Sequence, residues 1–99
     1  MAKEHILFDK TELMAMAYMG NIAQMVNLKY NNITGISIKP IMEKSGFSKK
    51  PSEIIEIKVN NMPVPLTYTM LKEKQFWDSY KTNLKKFAKN NRITLIDET

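Results

Sequence analysis

Hydrophobic and polar residues alternate along this chain with two different periods, and the period changes near residue 71. From Glu53 to Val59 the period is two, with Ile55, Ile57 and Val59 on one face and Glu56 and Lys58 on the other. Val64 to Met70 alternates again, with Val64, Leu66, Tyr68 and Met70 opposed to Pro65, Thr67 and Thr69. The cluster Asn60-Asn61-Met62-Pro63 between them is turn chemistry, so the pair predicts a β-hairpin. Pro65 is expected to face outward near a sheet edge, because it cannot donate to a ladder.

Beyond residue 71 the apolar positions Phe76, Trp77, Tyr80, Leu84, Phe87 and Ala88 recur with helical spacing. At 100° per residue they fill an arc about 120° wide. Lys74, Asp78, Lys81, Lys85 and Lys89 line the opposite side. This pattern predicts an amphipathic helix over about 72–89, closed by Asn90 and Asn91 as left-handed cap residues. Alone in water such a helix is marginal, so its aromatic face must dock on the sheet. Trp77 is expected to be the anchor of that contact.

Upstream, Ile33 to Lys39 reads as a strand with Thr34, Ile36 and Ile38 on one face, entered by the turn Asn31-Asn32. Met42 to Ser52 reads as a loop, given Ser45, Gly46, Ser48, Pro51 and Ser52. The first thirty residues admit two readings. Gly20-Asn21 suits a two-residue hairpin turn joining Leu13–Met19 to Ile22–Tyr30. Asp9-Lys10-Thr11-Glu12 also resembles a capping box ahead of the helix formers Leu-Met-Ala-Met-Ala, with Gly20 as C-cap. Strands are preferred, because Val26, Leu28 and Tyr30 alternate with Asn27 and Lys29 and need a partner. Arg92 to Ile96 can add a short last strand.

Composition narrows the function more than it identifies it. Ninety-nine residues predict one domain over 1–99, and the apolar and charged fractions of 43% and 25% are those of a globular chain. Cysteine is absent, which removes disulfides, thiolate nucleophiles and thiolate metal sites. Three scattered glycines write no phosphate-cradling loop. No apolar run is long enough for a membrane helix, and no apolar signal core follows Met1-Ala2-Lys3-Glu4-His5. The expectation is a cytoplasmic protein.

The net charge of +5 is concentrated between Leu71 and Arg92, where seven basic residues face two acidic ones. Fourteen of the 15 basic residues are lysine, whereas arginine is the usual reader of phosphate or guanine. Lysine, isoleucine and asparagine abundance also fits A/T-rich coding.

His5 is the only histidine, and its neighbours Glu4 and Asp9 have no catalytic spacing, so it reads as solvent-facing or at a strand edge. Glu53 and Glu56 fall on opposite faces of a strand, and Glu73 and Asp78 diverge on a helix. No carboxylate pair is left for general acid–base work or for a hard cation. The expectation is therefore a protein that is not an enzyme and takes no cofactor or metal. Met14, Met16, Met19 and Met25 crowd one region, with Met42, Met62 and Met70 beyond it. Methionine fills irregular core gaps; exposed methionines would instead mark a self-association surface.

Two basic features remain as candidate binding elements. One is the helical stripe Lys74, Lys81, Lys85 and Lys89. The other is Lys44-Ser45-Gly46-Phe47-Ser48-Lys49-Lys50, where Phe47 sits among Lys44, Lys49 and Lys50 at a loop tip. Apolar insertion with anionic attraction is the combination used at membrane surfaces; a solvated helix face, and a phenylalanine folded onto the core, are the structural alternatives.

The turn and strand Asn32-Ile33-Thr34-Gly35-Ile36, the hairpin 53–70 and the helix bearing Phe76, Trp77, Tyr80, Leu84 and Phe87 together resemble the pleckstrin-homology-like superfold, including its bacterial members. That resemblance implies an α+β fold: a curved, mainly antiparallel partial barrel packed by one C-terminal helix. The superfold has seven strands before its helix, against five or six legible here, and no lysine flanks the Gly20-Asn21 turn where phosphoinositide binders carry theirs. Its members mostly act as binding or assembly modules. The chain is thus expected to bind protein partners or itself, with anionic lipid or nucleic-acid phosphate as the alternative partner.

Overall fold

The computed structural model describes residues 4–99 and, for Met19, the backbone alone. Its elements run β1 (Ile6–Phe8), β2 (Glu12–Met19), β3 (Ile22–Lys29), β4 (Ile33–Ser45), β5 (Ser48–Val59), β6 (Leu66–Thr69), α1 (Trp77–Asn91) and β7 (Leu95–Asp97). A three-stranded sheet has the order β1-β2-β3 and a four-stranded sheet the order β6-β5-β4-β7. The architecture is α+β, with two sheets that do not close into a barrel and one C-terminal helix.

Between Ile6 and Lys29 the chain forms three strands. β2 and β3 pair antiparallel through Met19 and Ile22, and Gly20 takes φ +62 in the turn between them, a conformation that costs an L side chain about 1 kcal/mol. Leu13, Ala15 and Leu28 are buried, so alternation here outweighs the helix propensity of the methionine-alanine run. β1 pairs with the other edge of β2, from Ile6 opposite Ala15 to Phe8 opposite Leu13. With only three residues, it is the strand that alternation alone does not reveal.

Two expectations about the middle of the chain are corrected. Residues 42–52 are not a loop: β4 and β5 stay paired from Ile36 opposite Ile57 out to Ser45 opposite Ser48, and Gly46 turns the chain at φ +65. Pro51, which spoke for a loop, sits where a ladder tolerates it. The β5 residues of odd number bond toward β6, as Met70 N–H donating to Glu53 C=O shows, and Pro51 lies beyond the end of β6. Pro40 likewise points past the end of β7. Neither ring removes a bond that a neighbour could make. Thr34 does not share a face with Ile36 and Ile38: the register slips between Ile33 and Gly35, Thr34 is left exposed, and Ile33 joins the buried side.

The second hairpin forms as expected, with Ile55 opposite Tyr68 and Ile57 opposite Leu66. β6 starts only at Leu66, so Val64 belongs to the turn and is exposed. A 3-10 turn over Lys74–Phe76 leads into α1, which ends two residues later than the pattern predicts. Arg92, at φ 57, is the left-handed cap residue, and Asn91 is still helical, its amide donating to the carbonyls of Phe87 and Lys10. After the helix, β7 adds parallel to β4, with Leu95 opposite Ile36.

The buried face of α1 is the one the spacing picks out: Trp77, Tyr80, Leu84, Phe87 and Ala88, with Phe76 partly buried. They share one core with Ile6, Leu13 and Leu28 of the first sheet and Ile36, Ile38, Ile55 and Ile57 of the second. Burying each of the five larger side chains contributes at most about 1.5–3 kcal/mol, which makes the helix the element that joins the two sheets.

Candidate functional site

Residues with exposed or polar chemistry gather at four places. The first is the far end of the β4–β5 hairpin, an arm that carries the pairing away from the core. Phe47 at its tip is fully exposed and does not fold back. Lys44 and Lys49 are cross-strand partners, so two ammonium groups start from directly opposite positions, an unfavourable pairing in a sheet. Lys50 stands opposite Glu43, the one acidic residue between Ile41 and Ser52. Glu43 does not neutralise it. Its two carboxylate oxygens accept from Ser52 at 2.7 Å and from Thr69 at 2.8 Å, toward the arm's root. Burial pushes that carboxyl up, but the hydrogen bonds from Ser52, Thr69 and the Leu71 backbone, with the Lys72 charge, bring it below its ordinary value. Among the described residues, Lys44, Lys49 and Lys50 take part in no ion pair.

The second place is the lysine stripe of the helix, and the structure divides it. Lys81 donates to Glu53 at 2.9 Å and to the Thr99 hydroxyl at 3.0 Å. Lys85 lies 2.7 Å from Asp97 and holds its carboxyl well below the usual carboxylate range, helped by hydrogen bonds from Thr99. These two lysines tie the helix to β5 and to the C-terminal strand. Lys74, in the 3-10 turn, and Lys89, in the last helical turn, are exposed and unpaired among the described residues. The four do not form one cationic surface.

The third is the outer face of the three-stranded sheet. By alternation Leu7, Met14, Met16, Tyr18, Ala23 and Met25 share it, while Leu13, Ala15 and Leu28 point to the core. Leu7 is 46% exposed, Met14 41% and Tyr18 57%, and Met16 and Met25 are half-buried. Glu12, Asn27 and Lys29 make one end of the face polar, and His5, whose ring stands edge-on to Tyr18, makes the other end polar. Antiparallel sheets with a solvated side ordinarily put polar residues there. The methionines thus split: Met62 and Met70 pack against the core, whereas Met14 and Met42 are exposed. The side chain of Met19 lies outside the described residues.

The fourth is a cleft of about 480 Å³ lined by His5, Tyr18, Thr67, Tyr68, Thr69, Lys72 and Glu73. His5 sits at a strand edge, as expected, but its partner is neither Glu4 nor Asp9. Its Nδ1 lies 2.6 Å from Oε1 of Glu73, a pairing between residues too distant in sequence for spacing to signal. The Tyr18 hydroxyl is 3.4 Å from the same nitrogen, and the His5 backbone N–H donates to Tyr80 Oη at 2.7 Å. Burial first, then the Glu73 charge, raises the Tyr18 phenol; burial does the same for Tyr68, whose hydroxyl donates to the Met16 carbonyl at 2.7 Å. The arrangement fastens the start of β1 to the segment before the helix. Within it His5, Glu73 and Tyr68 are each held to a partner.

Among the described residues no helix is long and apolar enough to cross a membrane. Set against known proteins, the chain matches no family model, no curated protein and no solved structure.

Proposed function

We propose that this chain is a non-catalytic interaction module that binds a protein partner or a second copy of itself through the outer face of β1, β2 and β3. The observation that carries this reading is the run of Leu7, Met14, Met16, Met25 and Tyr18 across one uncovered sheet face. Apolar residues scattered singly on a surface are ordinary, but contiguous ones belong to contact surfaces. Methionine suits such a face because its flexible thioether adapts to the shape it meets. Among the described residues no strand lies beyond the adjoining β3 edge, so backbone pairing can extend the contact.

Light scattering across a concentration series tests the self-association form. A mass that rises from monomer to dimer, and returns to monomer in Met14→Lys and Leu7→Lys, supports it. A mass that stays monomeric at the highest attainable concentration removes that form. Failure of the wild-type protein to bind a dye that reports contiguous apolar surface, such as anilinonaphthalene sulfonate, would remove the face itself as a docking site.

A further inference from the structure

We infer that the β4–β5 arm is a membrane-surface anchor, which inserts Phe47 among the headgroups of an anionic bilayer while Lys44, Lys49 and Lys50 hold the lipid charge. This surface is separate from the sheet face described above and does not depend on it.

Three observations converge on the arm. Its tip residue is a fully exposed phenylalanine. By register Met42, opposite Pro51, shares a face with the cross-strand pair Lys44 and Lys49, and Met42 is also exposed. One side of the ribbon therefore combines an apolar stem and tip with two ammonium groups. The third observation concerns charge. Three cations cluster around the tip without a counter-ion among the described residues, while the arm's one carboxylate is turned to the root and occupied by Ser52 and Thr69. Opposed Lys44 and Lys49 repel each other until an anion comes between them.

A lipid surface fits this better than a nucleic acid does. A phosphate backbone is met by the charges but offers little to a phenylalanine and a methionine, whereas the headgroup boundary of a bilayer takes both kinds of group at once. Lysine also suits a headgroup layer, which needs point charges and not the planar fork of arginine. Attraction of about 1 kcal/mol per lysine at an anionic leaflet amounts, for three, to roughly a hundredfold in partition.

Co-sedimentation of the full chain with vesicles tests this, using phosphatidylcholine alone and phosphatidylcholine with about 30% phosphatidylserine. Binding is expected to the mixed vesicles and not to the neutral ones, and is expected to fall as salt rises from about 50 to about 500 mM. The triple variant Lys44→Gln/Lys49→Gln/Lys50→Gln should lose roughly a hundredfold, and Phe47→Ala about tenfold. Both change exposed positions, and circular dichroism melts matching the wild type verify the fold. Should the triple variant melt early, Lys49→Gln alone, with a loss of about fivefold, carries the same test. Absence of binding to the mixed vesicles at low salt overturns the proposal. So does binding that survives both variants, and so does tight binding to a DNA duplex that is insensitive to Phe47→Ala while the vesicles are ignored.

Discussion

Trp77 and Lys81, one helical turn apart, donate to the same oxygen of Glu53, at 2.8 Å and 2.9 Å. The indole N–H is thereby satisfied although Trp77 is almost completely buried, and the helix is locked to β5 by a polar contact as well as by packing. Glu53→Ala removes the shared acceptor and leaves the indole donor without a partner, so it should lower the unfolding free energy by about 1–3 kcal/mol. Glu53→Gln keeps a neutral acceptor and should cost less. Urea titration of both variants measures the difference; equal stability of Glu53→Ala and the wild type would mean that the shared oxygen holds nothing.

Trp77→Ala deletes the largest side chain of the helix–sheet contact and should cost about 3–5 kcal/mol, on the scale of the whole stability of a domain this size. Trp77→Phe keeps much of the volume but not the bond to Glu53, and should fall between Trp77→Ala and the wild type. Thermal melts of the two variants check the order, and an unchanged melting temperature in Trp77→Ala would contradict it.

The dependence on pH follows from three carboxyls held below their ordinary values. In Glu43 and Glu53 burial works upward but is outweighed by hydrogen bonds, from Ser52 and Thr69 in one case and from Trp77 and Lys81 in the other. In Asp97 the hydrogen bond from Lys85 leads. The unfolded chain then binds more protons than the folded one on the acid side, so stability rises with pH there. It should be complete above the ordinary glutamate value of 4.5 and decline progressively as pH falls below it. Tyr68 and Tyr80, raised chiefly by burial, give the opposite limb: stability should fall as pH climbs above the ordinary tyrosine value of 10.0. Denaturation midpoints across pH measure both limbs, and a flat acid limb would contradict the carboxyl assignments.

Arg92 closes the helix at φ 57, a conformation costing an L residue about 1–2 kcal/mol that glycine adopts freely. Arg92→Gly should therefore stabilise the protein, by about 1 kcal/mol. A lower melting temperature for that variant would show that the exposed arginine side chain contributes more than the backbone loses.

Tyr80→Phe removes the acceptor of the His5 backbone N–H and leaves that amide short of a partner at the start of β1. The expected loss is about 1 kcal/mol, confined to one end of the first sheet. Hydrogen exchange should quicken at Ile6 to Phe8 more than in β4 and β5; unchanged protection in β1 would place its anchor elsewhere.

How far the fold is legible depends on whether a segment touches the core. Phe76 through Ala88 reads correctly as a buried helical face, and 53–70 as a hairpin, because one side of each is apolar for burial and the period is preserved. The arm is illegible for the same reason in reverse. From Met42 to Pro51 no residue is buried, so lysine, serine and proline are all accepted there and the apolar alternation that announces a strand is lost. At Thr34 a one-residue slip moves Ile33 to the face that simple alternation gives to its neighbour. The lysines illustrate the limit for sites: helical spacing groups Lys74, Lys81, Lys85 and Lys89, but the acids that claim Lys81 and Lys85 come from β5 and β7. Glu73 as the partner of His5 is invisible for the same reason, since the contact exists only once β1 reaches the helix entrance.

The prolines of the arm have a further consequence. A long projecting ribbon offers two rows of free backbone groups, the template on which chains stack into fibrils. Pro40 interrupts one row and Pro51 the other, each by a ring where an amide proton would have been. Stacking along the flanks is thus spoiled from both sides, and the ribbon can reach far from the body while remaining a single copy.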